Sequence, residues 1–239
     1  AIHLSNIAVE IDGFIPEGGA KNVARRDGMG TTVLSAVSKI GRIPDYYFQA
    51  VGSGTGAIAA WEASLRLIAD GRFGNNKMKL IVSQNEPFII LQEACRADSR
   101  ELLTMNDNDA RKKVETILAK VLSNRKPPYP IIGGLYDAMK NAGGDVLTAN
   151  NQELEAAGKL FEKLEGNDIH PASAVATATL IKAVNDGLVQ KDDLIMLNIT
   201  GGGEERFKKE NELIYLKPSF KFDINPTLDE VKEVLDRLF

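Results

Sequence analysis

The run Gly52-Ser53-Gly54-Thr55-Gly56, set directly between a strand-like segment and a helix-like one, constrains this chain more than any other stretch. Tyr46-Tyr47-Phe48-Gln49-Ala50-Val51 reads as a short aromatic-rich strand, and Ala57-Ile58-Ala59-Ala60-Trp61-Glu62-Ala63 as the start of a helix. A strand that enters a helix through glycines is an α/β unit. A loop without Cβ atoms also lets backbone N–H groups close around an anion at the positive end of the helix. Ser53 and Thr55 add hydroxyl donors. A phosphate ester held without a metal suits that donor set. By spacing alone, Gly52, Gly54 and Ala57 also satisfy the dinucleotide fingerprint G-x-G-x-x-A. A nicotinamide cofactor would need an acidic residue after the next strand to hold a ribose, and the nearby candidate there is Glu86, followed at once by Pro87.

The rest of the chain repeats the alternation. Residues 32–40 carry apolar positions at helical spacing and close on Gly41, a C′ glycine. Strands are predicted at 78–82, 145–148 and 194–198, with helices at 151–164 and 173–185. Thr227 and Glu230 form a capping-box start, just after Pro226, for a last amphipathic helix ending near Leu238. Ile7-Ala8-Val9-Glu10-Ile11 reads as a further strand, and Lys126-Pro127-Pro128-Tyr129-Pro130 as a rigid turn. Alternating strands and helices imply an α/β fold with a mostly parallel sheet covered by helices on both faces. With no repeat and no low-complexity linker, residues 1–239 are expected to form one continuous domain.

Composition removes several function classes. The 29 basic and 33 acidic residues are mixed along the chain, net charge -4, so no cationic face for nucleic acid is expected. Apolar stretches are strand-length and interrupted by charge, and the opening residues lack the basic lead and apolar core of an export signal, so no membrane partner is expected. The single cysteine, Cys95, excludes an intramolecular disulfide and fits a reducing cytoplasm; its helical context reads as a small buried hydrophobe. With two histidines far apart, no metal site is expected.

Taken with its flanks, the glycine loop is one of several landmarks in a fixed order. Glu17-Gly18-Gly19-Ala20 and Asp27-Gly28-Met29-Gly30-Thr31 precede it, and Pro171-Ala172-Ser173-Ala174 and Asn198-Ile199-Thr200-Gly201-Gly202-Gly203 follow. In this order they resemble the threonine-synthase-like group of fold type II pyridoxal-phosphate enzymes and, within it, the cysteate synthase family. The resemblance runs through the whole chain. It implies the larger domain of the tryptophan synthase β-like fold, with pyridoxal 5'-phosphate as cofactor. It further implies that Gly52, Ser53, Gly54, Thr55 and Gly56 hold the cofactor phosphate and that the Thr200 hydroxyl faces the pyridine nitrogen. A neutral hydroxyl partner leaves that nitrogen largely unprotonated, which suits β-replacement better than transamination.

The implied reaction converts O-phospho-L-serine and sulfite to L-cysteate and phosphate, a step of coenzyme M biosynthesis in methanogens. Small-molecule substrates and a homodimer are the implied partners, in the cytoplasm. Threonine synthase, acting on phosphohomoserine, is the nearest alternative, and a nicotinamide-dependent dehydrogenase the more distant one.

Two departures from the family pattern stand out. His170 occupies the place before Pro-Ala-Ser where the wider group often has glutamate, and with Arg206 it is a candidate to hold an anion. The family's Schiff-base lysine lies N-terminal to the region matched, so this chain is expected to be a C-terminal part, and no catalytic residue is assigned in it. Ser219-Phe220-Lys221 imitates the tripeptide around that lysine, but it follows the last core strand and reads as a C-terminal strand or surface arm.

Overall fold

The computed structural model describes residues 2–223 and 225–238. In chain order the elements are α1 (Ile2–Ala8), α2 (Val23–Ile40), β1 (Tyr46–Ala50), α3 (Thr55–Asp70), β2 (Lys79–Asn85), α4 (Ile90–Arg96) and α5 (Asp107–Thr116). They continue with α6 (Leu135–Ala142), β3 (Asp145–Ala149), α7 (Asn151–Glu165), α8 (Pro171–Asn185), β4 (Ile195–Leu197), α9 (Glu204–Glu210) and α10 (Leu228–Leu238). Among the described residues the four strands form one sheet in the order β3-β2-β1-β4, every pair parallel. Phe48 sits level with Ile81 on one side and Leu197 on the other.

The two-residue periodicity of β1 explains why the sheet is covered twice. Tyr47 and Val51 point into a core shared with α2, α3, α4 and α6, while Tyr46, Phe48 and Ala50 point into clusters built largely on α7 and α8. Phe48 and Leu80 are fully buried, each stabilising the fold by roughly 1.5–3 kcal/mol. A strand apolar on both faces can only be an inner strand of a parallel sheet, and β1 and β2 hold those places.

Strand order then creates a singular point. From β1 the chain runs outward through β2 to β3, using α3, α4 and α6 on one face. It returns by α7 and α8 on the other face and lays β4 against the opposite side of β1. The C-terminal ends of β1 and β4 therefore flank the place where the winding reverses, and in open α/β sheets the ligand crevice lies there. β4 is short and half-buried, so side chains help to hold it. Asp45 accepts from Leu194 N–H at 2.8 Å, its own N–H donates to Leu194 O at 2.8 Å, and Arg42 grips its carboxylate. The Arg42 hydrogen bond holds the Asp45 carboxyl below its ordinary value.

The helices that periodicity predicts end close to where it places them, while α5, α6 and α9 were not predicted, and two further differences stand out. The first long helix starts at Val23, nine residues before the apolar periodicity is clear, because Asn22 caps it by accepting from Arg25 N–H at 3.2 Å. The predicted strand at Ile7–Ile11 is not a strand: Ile2–Ala8 is helical and turns follow it. Leu4 and Ile7 recur at a helical interval, and the helix packs on α10, where Val231 and Val234 are buried. A helix from the far end of the chain thus claims the apolar face of this one.

Candidate functional site

The glycine loop lies between the C-terminal end of β1 and the start of α3. Gly54 caps the helix at φ +77°, in the left-handed region where Cβ-bearing residues are strained, and no side chain caps the helix in its place. Among the described residues, no protein acceptor is found for the N–H groups of Gly56 and Ala57 in the first turn. Those donors, with the axial dipole of a 16-residue helix behind them, offer partial positive charge to an anion. Ser53 Oγ and Thr55 Oγ1 lie 2.9 Å apart, and Thr55 N–H donates to Ser53 Oγ at 3.3 Å. One hydroxyl proton of the pair is therefore committed between them and the other is free.

Packing, as well as ligand access, favours glycine at three positions of this loop, most firmly at Gly52, where the clash is with backbone. A Cβ on Gly52 would lie 2.8 Å from Val121 O, one on Gly54 2.7 Å from Leu135 Cδ2, and one on Gly56 2.6 Å from Gln49 Nε2. The loop is thus pressed from three sides: by the 3-10 turn Lys120–Leu122, by α6 and by β1. Asn85, at the end of β2, anchors that turn: its Oδ1 accepts from Leu118 and Ala119 N–H, both at 3.1 Å, and its Nδ2 donates to Ala149 O at 3.0 Å.

Thr200 stands three residues beyond β4, exposed at the same edge of the sheet. The two distant landmarks of the C-terminal half meet here. Ser173, fully buried in the first turn of α8, donates to Gly201 O at 3.0 Å and accepts from Gly201 N–H at 3.1 Å, with Thr200 Oγ1 3.4 Å away. His170 N–H donates to the same Gly201 carbonyl at 3.0 Å, and Gly203 N–H donates to Asp168 O at 2.8 Å. A Cβ on Gly202 would lie 2.5 Å from Asp168 O, so the loop can lie this close to the Asp168–Ile169 segment before α8 only as glycine. With Ser173's proton taken by Gly201 O, Thr200 is the donor of the 3.4 Å contact to Ser173 Oγ, a long bond that a closer acceptor can take over.

β1 and β4 are neighbours, so Gly52–Gly56 and Thr200 emerge from the carboxyl ends of adjacent strands, one on each side of the switch point. The structure brings these six residues to one edge of the sheet. Of the other candidates, His170 lies against Gly201 beside Thr200, and the rest lie elsewhere. The exposed His170 imidazole pairs with Glu204 at 3.1 Å, and Lys208 holds that carboxylate below its ordinary value. Arg206 pairs with Glu210 at 2.8 Å along α9. Lys221 is exposed in the irregular arm between α9 and α10, which has no strand among its described residues; its cleft, shared with Phe222 and Arg237, contains none of the loop residues. Cys95 is half-buried on α4, and burial pushes its thiol up, away from the reactive thiolate. Glu86, the ribose candidate of the dinucleotide reading, is taken by the Thr148 hydroxyl.

Three residues at the site were given no role by motif reading, although Asn198 opens the Thr200 landmark. Tyr47, Gln49 and Asn198 form a side-chain chain from β4 across β1 to the underside of Gly56: Asn198 Nδ2 donates to Tyr47 OH at 2.6 Å, and Tyr47 OH donates to Gln49 Oε1 at 2.9 Å. The alternation of β1 places Tyr47 and Gln49 on the face toward α3, but only strand order brings Asn198 to them.

Comparison with known proteins agrees with this architecture. Residues 3–201 match the family described as pyridoxal-phosphate dependent enzyme. Cysteate synthase from Methanosarcina mazei is 50% identical over 234 residues, 97% of this chain and 56% of that protein. Cysteate synthase from Methanocorpusculum labreanum is 50% identical over 213 residues, 89% of this chain and 52% of that protein. The chain thus spans little more than half the length of these curated relatives. Among solved structures, a pyridoxal 5'-phosphate-dependent aspartate racemase superposes with a TM-score of 0.59 at 14% identity, covering 82% of this chain and 55% of that one. Serine racemase from Dictyostelium discoideum superposes with a TM-score of 0.53 at 17% identity, covering 74% of this chain and 49% of that one. At such identities the superpositions speak for the fold, and the fold they share is that of fold type II enzymes.

Proposed function

The chain belongs to the pyridoxal-phosphate dependent enzyme family, and from that premise we propose that it is the part of a cysteate synthase that holds the cofactor's phosphate and ring nitrogen. The cofactor is pyridoxal 5'-phosphate. One observation carries the assignment of residues: an anion cradle and a lone hydroxyl project from adjacent strands at the switch point of the sheet. The donor set fits a phosphate ester at one end and an uncharged nitrogen acceptor at the other.

In this reading the N–H groups at the head of α3 hold the phosphate, with the free proton of the Ser53–Thr55 pair as a further donor. The dipole of α3 offsets part of the phosphate charge without a metal. Thr200 Oγ1 donates to the ring nitrogen, and Ser173 keeps the Thr200 loop in place by holding both polar groups of Gly201. Bound there, the cofactor supplies the electron-withdrawing ring that lets an amino acid lose its α-proton and a β-substituent. A hydroxyl rather than a carboxylate at the nitrogen keeps that withdrawal moderate, the setting for replacement at the β-carbon.

With O-phospho-L-serine the C–O bond to phosphate breaks and phosphate leaves with the bonding pair. Sulfite forms the new C–S bond with its own pair, and the α-carbon regains a proton, giving L-cysteate. Within these residues we assign no lysine to covalent cofactor attachment.

The test uses the full-length protein saturated with pyridoxal phosphate. Cysteate detected by mass spectrometry, with phosphate released in equal amount and only when sulfite accompanies O-phospho-L-serine, is the expected result. Threonine and phosphate formed from phosphohomoserine without sulfite would replace this reading with threonine synthase.

A further inference from the structure

Building on that cofactor reading, we propose that Tyr47 is a positioning residue that ties the phosphate loop to the Thr200 loop, through Gln49 on one side and Asn198 on the other. Proton bookkeeping sets the direction of the chain. The Asn198 amide nitrogen can only donate, and it lies 2.6 Å from the Tyr47 hydroxyl. The phenol's single proton therefore goes to Gln49 Oε1, 2.9 Å away. Gly56 packs directly on the carboxamide so held, since an added Cβ there would approach its Nε2 to 2.6 Å and its Oε1 to 2.8 Å. Gly56 rests on an amide whose orientation Tyr47 dictates.

At the other end, Asn198 N–H donates to Phe48 O at 2.9 Å, and Thr200 follows two residues later. β4 has only three residues, so its ladder with β1 is short, and this side-chain link is an independent tie between the two loops. Tyr47 itself is 1% exposed, and a buried hydroxyl without partners is costly, whereas phenylalanine would fill the same volume without that cost. Burial also drives the phenol's pKa well above its ordinary value, so the proton donated to Gln49 stays in place through the neutral range.

The experiment uses the full-length protein and Tyr47→Phe, with and without Thr200→Val. Three quantities are read: the affinity for pyridoxal phosphate, the chemical shift of isotopically labelled ring nitrogen in the bound cofactor, and the urea midpoint of the cofactor-free protein. Tyr47→Phe is expected to weaken cofactor binding about five- to tenfold, the scale of one lost buried hydrogen bond. It should also move the ring-nitrogen signal in the Thr200 protein and leave it unmoved in the Thr200→Val background.

An unchanged affinity and ring-nitrogen signal, even with a lowered urea midpoint, would overturn the proposal and leave Tyr47 a stabilising residue. An equal movement of the signal in both backgrounds would overturn it too. Asn198→Ala breaks the same chain from its half-buried end and must reproduce the signal change should Tyr47→Phe not fold. Failure of the unsubstituted full-length protein to bind pyridoxal phosphate would instead refute the cofactor reading itself.

Discussion

Gly54→Ala is the substitution whose effect can be worked most directly from the geometry. An alanine there must adopt φ +77°, a left-handed conformation that costs an L-residue about 1–2 kcal/mol. Its methyl group must also sit where Leu135 Cδ2 now is, 2.7 Å away. Leu135 is fully buried in the core beneath α3, so it cannot swing into solvent, and overpacking of this kind costs about 1–3 kcal/mol. The smaller entropy of the unfolded alanine chain returns about 0.4–1 kcal/mol. The net expectation is a loss of about 1–4.5 kcal/mol, centred on ~3, a large share of an ordinary domain's stability.

Gly71→Ala supplies the control. Gly71 ends the same helix at φ +80° with nothing within 4 Å of its would-be Cβ, so it carries the backbone strain without the clash and should cost about 1 kcal/mol. Urea unfolding of both variants at unchanged slope measures the difference. Leu135→Ala in the Gly54→Ala background removes the clashing methyl, so the double variant should lose about 1–2 kcal/mol less than the sum of the two single losses. Equal costs at Gly54 and Gly71, or strict additivity with Leu135→Ala, would show that Leu135 does not wall the loop as the geometry requires.

Two further outcomes follow from the supports of the site. Asn85→Ala should cost about 2–4 kcal/mol in urea unfolding, since it strands the buried Ala119 N–H and cuts the tie between β3 and the turn that walls Gly52; a cost under about 1 kcal/mol would mean that the turn is held by other contacts. Asp45→Asn should lower stability by about 0.5–1 kcal/mol at neutral pH, a modest figure because Arg42 is half exposed. Because folding depresses the Asp45 carboxyl, its contribution is present above the unfolded value near pH ~4 and is lost as pH falls through the lower folded value. Parent and variant unfolding curves should therefore converge under acid conditions, and a gap that widened on acidification would contradict the Arg42 pairing.

Much of this architecture was legible residue by residue. β1, the glycine loop and α3 follow from local pattern, because a buried strand, a stretch free of Cβ atoms and an alanine-rich helix each carry their own chemistry. The helix end at Gly41 and the Thr227–Glu230 cap of α10 are likewise local: a left-handed C′ position or a capping hydroxyl involves only residues within one turn. The misreading of Ile7–Ile11 has the opposite cause. Five apolar and polar residues fit a strand and a short helix alike, and what settles the matter is α10, more than two hundred residues further along.

The site divides in the same way. Sequence by itself determined which groups could bind an anion, because that property belongs to side chains and to the absence of them, whereas Thr200 was singled out only through the resemblance to a family. Only the tertiary structure decided that β4 returns to lie against β1, and so that Thr200 stands across the switch point from Gly52–Gly56. It alone joined Ser173 to Gly201 and Asn198 through Tyr47 to Gln49. Strand order is a global outcome of which helix faces can be buried together, and no window of neighbouring residues contains it.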